Sequence, residues 1–464
     1  MTEGRVFSRK ERRLVLFASS AAIFTTPLMA TMVNSAIPTI GSDLGVGTHN
    51  QAWITVSFLL ATVCFLLVWS RIADIWGKRK VFIAGLFIVM FGGLLSSLSP
   101  NFALLLVFRM IMGIGAAAIS CTSVALITEV YPRSQRGTAF GINTAAVYVG
   151  SSVGPGLGGV LTDTLGWHST FYMIIPFCII ALIPILMFKT EFATAKGEPL
   201  DRVGPTIFGS ATVLLTIGML NIPQWWSILS IIIGTLLMVV FYRHQKRERY
   251  PVLNVEVFAS RMYKRSVIAA FLNYASSYAI SFFAVLYLQD VNGWSPSKAG
   301  MLLLIQPIIQ AVFTPLMGRL SDKISGHVLP TVGMAVLCVG LMIILVFPTQ
   351  VSMLMIVSAL IMLGAGYAMF SAPNTNVVMS SVGTKLYSEA AATLSMMRQT
   401  GMLLSMGIAS ACIALTLGNT AHISENIPAF MNAMRAAILI FVGLSIVGTL
   451  LSWFRGSSEE TVEA

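Results

Sequence analysis

Residues 150–161 read GSSVGPGLGGVL and belong to an apolar segment that covers residues 137–161. Three glycines in this stretch recur every four residues: Gly150, Gly154 and Gly158. On a helix they form one face without side chains, against which another backbone can pack closely. Pro155 removes one backbone donor within this face and is expected to bend the helix. The face either packs two helices together or makes one helix deformable at an interface that moves.

The composition around this stretch indicates a membrane protein. The chain has 464 residues, of which 56% are hydrophobic and 10% are charged, and its mean hydropathy is +0.83. A water-soluble domain of this length would not normally be so apolar. Runs of about 18 or more apolar residues are long enough to cross a bilayer as helices. Fourteen are found, at residues 14–38, 52–70, 81–98, 102–130, 137–161, 170–188, 204–222, 225–242, 266–288, 298–318, 329–348, 351–370, 391–417 and 432–454.

Basic residues follow the topology of these fourteen segments. The formal net charge is +11, and nearly all lysines and arginines outside the helices fall on the side that holds the amino terminus. Lys298 and Arg435 fall on the opposite side. Because basic loops remain in the cytoplasm, both termini are expected to be cytoplasmic. The short tails and the lack of targeting signals favour the plasma (inner) membrane of a prokaryote, with the lipid bilayer as a partner and no nucleic acid.

The segments divide into six, two and six. We expect cytoplasmic tails at residues 1–13 and 455–464, six-helix bundles at 14–188 and 266–454, and a connector with two additional helices at 189–265. A faint internal repeat supports this division, because SRIADIWGKRK (70–80) and GRLSDKISGHV (318–328) each follow the second helix of a half. Such repeats place a substrate path between the halves. The expected fold is an all-α polytopic membrane protein with two bundles and two extra central helices.

Three motifs carry a family resemblance. A cytoplasmic loop pattern, G-x-L-[AS]-D-[RK]-x-G-R-[RK], is matched at Ala73, Asp74, Gly77, Lys78, Arg79 and Lys80, but not at Ser70 and Ile75. The pattern G-x-x-x-G-P-x-x-G-G is matched completely, by Gly150, Gly154, Pro155, Gly158 and Gly159. The pattern R-x-x-x-G-x-G is matched by Arg109, Gly113 and Gly115. With these motifs the chain resembles a major facilitator superfamily transporter, and within that superfamily the fourteen-helix drug:proton antiporters of multidrug efflux.

The resemblance implies a gate at the cytoplasmic surface. Its expected residues are Asp74, Gly77, Lys78, Arg79 and Glu129 in the first half, with Gly318 and Asp322 in the second. The aspartate would help to lock the two bundles together by pairing with a basic residue or a helix amino terminus. Glu129 is the expected partner of Arg79. The alternative is an ordinary solvated charge cluster that fixes topology.

A titrating group for proton coupling is not apparent. Arg109 lies within the fourth helix, where a cation is costly; the resemblance implies a place in the proton or substrate path, and the alternative is a hydrogen bond to a backbone carbonyl. The family pattern of the first helix, L-D-x-T-x-V-N-x-A-x-P, reads LMATMVNSAIP at 28–38, with Met29 in place of the aspartate. None of the 18 acidic residues or five histidines falls near the middle of a predicted helix. Proton coupling is therefore expected from the resemblance alone.

Neutral and aromatic side chains remain as candidates for the path. They are Asn34, Asn143, Asn273, Tyr278, Gln306 and Gln310. Each of these side chains could equally form a hydrogen bond between two helices instead of binding substrate. A cavity of this kind would favour amphipathic, neutral or zwitterionic compounds.

We therefore expect a monomeric secondary active exporter of small amphipathic molecules that works by proton antiport and rocking of two bundles. In this hypothesis the glycine segment flexes and seals against the opposite bundle. Two alternatives stay open: a proton-independent facilitator or dedicated exporter of one metabolite, and a membrane receptor or enzyme that reuses the fold. No nucleotide-binding or hydrolase motif occurs, the five cysteines lack metal-ligand spacing, and neither a cofactor nor a metal is expected.

Overall fold

The computed structural model describes residues 7–253, 255–321, 324, 326–382, 387–418 and 423–455. In these ranges the chain is mainly helical and contains no strand. Asp322, one of the expected gate residues, lies outside the described residues.

The described chain contains fourteen long helical segments. They are α1 (Arg9–Asp43), α2 (Thr48–Trp76), α3 (Lys78–Ser97), α4 (Phe102–Val130), α5 (Arg133–Leu165), α6 (Ser169–Met187), α7 (Val203–Leu220), α8 (Trp225–Arg247), α9 (Arg261–Val291), α10 (Pro296–Ser321), α11 (Val328–Leu345), α12 (Met353–Ser380), α13 (Tyr387–Leu417) and α14 (Ile427–Trp453). The predicted all-α fold with fourteen long helices is confirmed.

Thirteen of these segments are long and apolar enough to cross a membrane, by length and composition. The exception is α5, which has 33 residues but whose glycines and hydroxyl side chains lower its hydropathy. Large apolar side chains on several helices are exposed, among them Phe91 on α3, Ile183 on α6 and Leu236 on α8. Such faces are typical of helices that contact lipid, since bilayer tails are as apolar as a protein core.

Helix α1 begins at Arg9, whereas the apolar run in the sequence begins at residue 14. The reason is a capping box, in which the backbone N–H of Glu11 donates to Ser8 Oγ at 3.2 Å and that of Ser8 donates to Glu11 Oε2 at 2.9 Å. These bonds satisfy first-turn donors that have no partner within the helix. Part of the predicted tail 1–13 is therefore helical.

The chain forms two compact units. The first comprises Met1–Leu44, Trp53–Val213 and Leu237–Val252, and the second comprises Gly45–Ala52, Leu214–Leu236 and Leu253–Ala464. The division runs through the two extra helices, α7 and α8. In the first unit the most extensive helix pairs are α1 with α5 and α3 with α4; in the second they are α11 with α12 and α10 with α12.

Candidate functional site

The glycine face of α5 packs directly on α1. A Cβ atom built on Gly150 would lie 2.4 Å from the carbonyl oxygen of Phe24, and one built on Gly158 would lie 2.2 Å from that of Met32. Real Cβ atoms do not approach so closely, so any side chain at these positions would push the helices apart. Close packing of two helices, one of the two interpretations of the motif, is observed, and the partner is α1 of the same unit. That the helix deforms at a moving interface stays a prediction.

The centre of this contact is polar. A Cβ on Gly154 would lie 1.8 Å from Thr31 Oγ1, and that hydroxyl donates to the Pro27 carbonyl at 2.8 Å. The carbonyl of Pro155 accepts from the buried hydroxyl of Ser35 at 3.1 Å. Helix α5 continues through Pro155, from Arg133 to Leu165, without interruption. Gly159 is buried beside this face.

Arg109 is fully buried in α4. Its Nε donates to the carbonyl oxygen of Ile54 at 3.0 Å, and its guanidinium lies 5.0 Å from the ring centre of Phe58 and 5.9 Å from that of Phe171. A carbonyl and aromatic faces are favourable neighbours for a cation in an apolar environment. The structural hydrogen bond considered from the sequence is present, and the role of Arg109 in a proton or substrate path stays a prediction.

The two glycines that follow Arg109 explain the rest of its motif. A Cβ on Gly113 would lie 2.3 Å from the Phe58 carbonyl oxygen of α2, and one on Gly115 would lie 2.7 Å from the Gly85 carbonyl oxygen of α3. Because they have no side chain, α4 approaches both neighbouring helices at backbone distance. The motif therefore places Arg109 in a tightly packed three-helix region.

The gate residues of the first unit form an ion cluster, but with a pairing that the sequence prediction got wrong. Glu129 Oε1 accepts from Lys78 Nζ at 2.5 Å, and not from Arg79 as expected. Lys78 is the first residue of α3 and is buried toward the end of α4. Arg79 points about 100° further around the helix axis, where Nε and Nη2 donate to the Ile185 and Leu186 carbonyls at 3.1 and 3.3 Å.

The groups that Asp74 contacts among the described residues belong to the first unit, as Asp74 itself does. Its Oδ1 lies 3.8 Å from Lys78 Nζ and accepts from Thr194 Oγ1 at 3.0 Å. Gly77, three residues later, has a φ of +119°, a conformation that L side chains rarely adopt. The glycine of the loop motif is thus required by the backbone at the point where α2 ends and α3 begins.

In the second unit only part of the repeated loop is described. Gly318 lies in α10 with room for a side chain, since the nearest atom to a built Cβ is the Ala372 methyl at 3.9 Å. Ser321 Oγ donates to the Gly318 carbonyl at 2.8 Å and accepts from Asn376 Nδ2 at 2.9 Å. This glycine is therefore not required by packing in the way that Gly77 is required by its backbone.

Helix α9 is interrupted at residues 276–279, which include the candidate path residue Tyr278 and come shortly after Asn273. The hydroxyls of Ser276 and Ser277 both donate to the Asn273 carbonyl, at 2.9 and 2.5 Å. The side-chain amide of Asn273 is fully buried and has no hydrogen-bond partner among the residues described here. Such competing side-chain bonds disfavour a regular helix, and nothing in the sequence reading identified this interruption.

Polar and aromatic groups from other helices meet this interruption. Ser277 Oγ forms a hydrogen bond with the hydroxyl of Tyr367 in α12, whose ring centre lies 5.9 Å from that of Tyr274. The backbone N–H of Ala279 donates to Ser405 Oγ in α13 at 3.0 Å. The second unit therefore contains an unwound turn next to buried hydroxyls and aromatic rings.

The remaining path candidates are distributed between the units. In the first, Asn34 accepts from Thr55 Oγ1 at 3.0 Å, and Asn143 is buried with no partner for Nδ2 in the part of the chain that the structure describes. In the second, Gln306 and Gln310 are half-buried on α10. The structure thus assigns Asn34, Asn143 and Arg109 to one unit and the other four candidates to the other.

One group of side chains in the described ranges could hold a metal ion: Asp201, His244 and Glu248, with ligand atoms within 4.8 Å of one another. His244 Nε2 lies 3.5 Å from Asp201 Oδ1 and 3.8 Å from Glu248 Oε2. Burial raises the pKa of Asp201, but hydrogen bonds from Gly204, Gln245 and His244 outweigh it and lower the pKa overall. The carboxylate already joins the start of α7 to the end of α8, so we interpret the group as a helix cap.

Comparison with known proteins assigns the family. The sequence model of the Major Facilitator Superfamily matches residues 19–259 and 266–463. The chain belongs to the Major Facilitator Superfamily. The predicted family and the class of transmembrane transporter are confirmed. This superfamily consists of transporters rather than enzymes, which disfavours the enzyme alternative.

The relatives of this chain have names that point to different substrates. The chain is 28% identical over 423 residues to multidrug resistance protein Stp of Mycobacterium tuberculosis (strain CDC 1551 / Oshkosh), covering 89% of this chain and 79% of Stp. It is 24% identical over 449 residues to riboflavin transporter RibZ of Clostridioides difficile (strain 630), covering 96% of this chain and 98% of RibZ. A crystal structure of a POT family transporter in complex with 5-aminolevulinic acid shares the fold, with a TM-score of 0.72, 14% identity, and coverage of 95% and 96% of the two chains.

Proposed function

We propose that the protein is a secondary active exporter of small amphipathic compounds, driven by proton antiport with alternating access. The observation that carries the proposal is the complete glycine motif of α5, whose face packs on α1 at distances that exclude any side chain. The resemblance to drug:proton antiporters identifies this pattern as their antiporter motif. The similarity to a multidrug resistance protein supports drug-like substrates.

The substrate class follows from the chemistry of the candidate path. Apart from the cation Arg109, its buried residues in the membrane helices are amides, hydroxyls and aromatic rings, including Asn273, Ser277 and Tyr367. Groups of this kind hydrogen-bond and stack with neutral or zwitterionic molecules, whereas a dication would need a buried carboxylate. The similarity to a riboflavin transporter supports planar, polar aromatic substrates.

The organisation that accompanies this proposal is the one expected from the sequence. Bundles at 14–188 and 266–454 would rock about a central path, the extra helices would lie in 189–265, and both termini would be cytoplasmic in the plasma membrane. The protein would act as a monomer. The loop between α2 and α3 would carry the cytoplasmic gate, with the Lys78 and Glu129 ion pair at its centre.

A proton-independent exporter or facilitator is the second candidate. It is favoured by Met29, which is fully buried in α1 at the position where related antiporters place an aspartate. No carboxylate occupies that part of α1, so proton exchange would have to use Arg109 or acids nearer the helix ends.

The deciding experiment measures internal pH in reconstituted vesicles that carry an imposed pH gradient and a trapped fluorescent pH indicator. Riboflavin and a panel of neutral, zwitterionic and dicationic dyes are added in turn. Proton movement opposite to substrate supports antiport. Substrate flux without proton movement supports the facilitator, and no flux of any compound, with folded protein in the vesicles, contradicts the proposed function.

A further inference from the structure

Residues 189–202, which we name the connector strap, join α6 to α7 and lie along the loop between α2 and α3. The backbone N–H of Lys78 donates to the Phe192 carbonyl at 2.9 Å, and that of Ala195 donates to the Asp74 carbonyl at 2.9 Å. Thr194 Oγ1 donates to the Asp74 carboxylate at 3.0 Å. The strap therefore pairs with the gate loop through both backbone and side-chain hydrogen bonds.

Glu191 of the strap caps helix α3. Its Oε1 accepts from the backbone N–H of Arg79 at 2.8 Å, and its Oε2 accepts from that of Lys80 at 3.2 Å. First-turn N–H groups have no partner within their helix, and a side chain at the preceding position usually supplies one. Here that position is Gly77, which has no side chain. The cap is supplied instead from a segment more than a hundred residues away in sequence.

The space for this cap exists because Gly77 is a glycine. A Cβ built on Gly77 would lie 2.4 Å from the Glu191 side chain. The Glu191 carboxylate thus occupies the volume that a side chain at the usual capping position would take. Its negative charge also lies at the positive end of the α3 dipole, which is a favourable position for an anion.

The strap is fastened on both sides of the cap. Phe192 is buried, with its ring centre 5.7 Å from that of Phe7 and 6.1 Å from that of Phe188. Glu198 accepts from Arg71 at 2.6 Å, and the side chain of Arg71 is 13% exposed. An ion pair with a mostly buried guanidinium is stronger than one between two exposed side chains. Glu191 is therefore held in place on a fixed segment.

We propose that Glu191 is a positioning residue for transport, which fixes the first turn of α3 and thereby the gate pair of Lys78 and Glu129. Lys78 is the first residue of α3, so a frayed first turn displaces its Nζ from Glu129. The role rests on the proposed function, because it acts through the gate loop. It adds the strap to the gating apparatus, which the loop motif alone does not include.

The test combines hydrogen exchange with transport, using full-length protein in nanodiscs and vesicles. In Glu191→Gln the shape is kept and the charge is lost, and one amide is left without an acceptor. We expect amide exchange in the first turn of α3 to become about fivefold faster, the size expected for a lost helix cap. Turnover per folded molecule should fall by a similar factor with the substrate KM unchanged, and Glu191→Asp, which keeps the charge, should recover part of it.

The control is Glu11→Ala, which removes the carboxylate that accepts from the Ser8 N–H in the cap of α1, whereas a glutamine there would still accept this bond. It should accelerate exchange at the start of α1 and leave turnover unchanged. Faster exchange at α3 with normal turnover in Glu191→Gln overturns the positioning role, and unchanged exchange overturns the cap itself. If the unmodified protein moves no compound of the panel, the proposed function fails, while the exchange measurement still decides the cap.

Discussion

Helices α1 and α9, which begin the two six-helix halves of the sequence, differ in a way that their sequences do not suggest. Helix α1 contains Pro27 and Pro38 and yet is continuous over 35 residues. Helix α9 contains no proline and is interrupted at residues 276–279. Proline is the usual cause of a helix break. The difference shows that proline content does not decide where a membrane helix unwinds.

The partner helices account for this difference. Helix α5 presents three glycines to α1, and its Pro155 carbonyl accepts from the Ser35 hydroxyl of α1. Helix α13 presents Gly401 to α9, where a Cβ would lie 2.5 Å from the Phe271 carbonyl oxygen, and four residues later it presents Ser405. The hydroxyl of Ser405 accepts the N–H of Ala279, which the interruption releases. In a membrane each released backbone group needs such a partner, so an interruption is stable only where a neighbouring helix provides one.

The largest effect is expected from breaking the α1 and α5 contact. In Gly154→Leu the new side chain would overlap Thr31 Oγ1, and overpacking of this kind costs about 1–3 kcal/mol or forces the helices apart. We expect dye efflux to fall by at least about tenfold. Insertion is checked by size-exclusion chromatography of a fluorescent fusion.

Gly141 provides the control for this substitution, because it lies on the same helix and a Cβ there has no neighbour within 4 Å. Gly141→Leu should leave efflux unchanged. Normal efflux in Gly154→Leu, or an equal loss in both variants, would contradict the role of the glycine face.

A smaller loss is expected when the partner of the α9 interruption is removed. Ser405→Ala leaves the Ala279 N–H buried without an acceptor, which costs about 1–3 kcal/mol. Turnover should fall about threefold to tenfold. Thr416→Ala serves as the control, because among the described residues Thr416 Oγ1 donates to carbonyls of its own helix. Equal turnover in the two variants would show that the interruption does not depend on α13.

Met29→Asp tests whether a carboxyl in α1 changes the substrate range. A carboxyl there places an ionisable group inside the membrane helix, where it can exchange protons during transport. We expect efflux of dicationic dyes to rise several-fold and to depend on pH, while Met29→Asn, which is polar but uncharged, leaves the substrate range as it is. No change in substrate range in Met29→Asp would count against our account of the neutral path.

The smallest effect is expected at Thr31, whose hydroxyl donates to the Pro27 carbonyl. Thr31→Val keeps the shape and removes this bond, at a cost of about 0.5–1.5 kcal/mol. Because close packing on α5 holds α1 together, the helix should remain continuous and efflux should stay within about twofold, with a slightly lower Tm. A complete loss of efflux would instead assign Thr31 to the substrate path.

Sequence reasoning succeeded where the signal is local and failed where it depends on a distant partner. The fourteen helices follow from apolar runs, and the motifs predicted the family. The Glu129 pairing was assigned to Arg79 instead of Lys78, because the choice between adjacent residues depends on how α3 is rotated against α4. Glu191 was missed because KTEFATAKGEPLDRVG reads as a polar connection. The signal available was Gly77 at a capping position without a side chain, ahead of a basic first turn.

The sequence by itself determined the membrane class, the number of long helices and the presence of a bare glycine face on α5, because hydropathy and residue spacing act within one segment. Only the tertiary structure decided that α1 covers this face, that α9 unwinds beside Ser405, and that the connector strap caps α3. Each of these depends on a backbone group and a side chain that are distant in the chain. Their pairing is set by how the helices pack, and spacing along the sequence does not specify it.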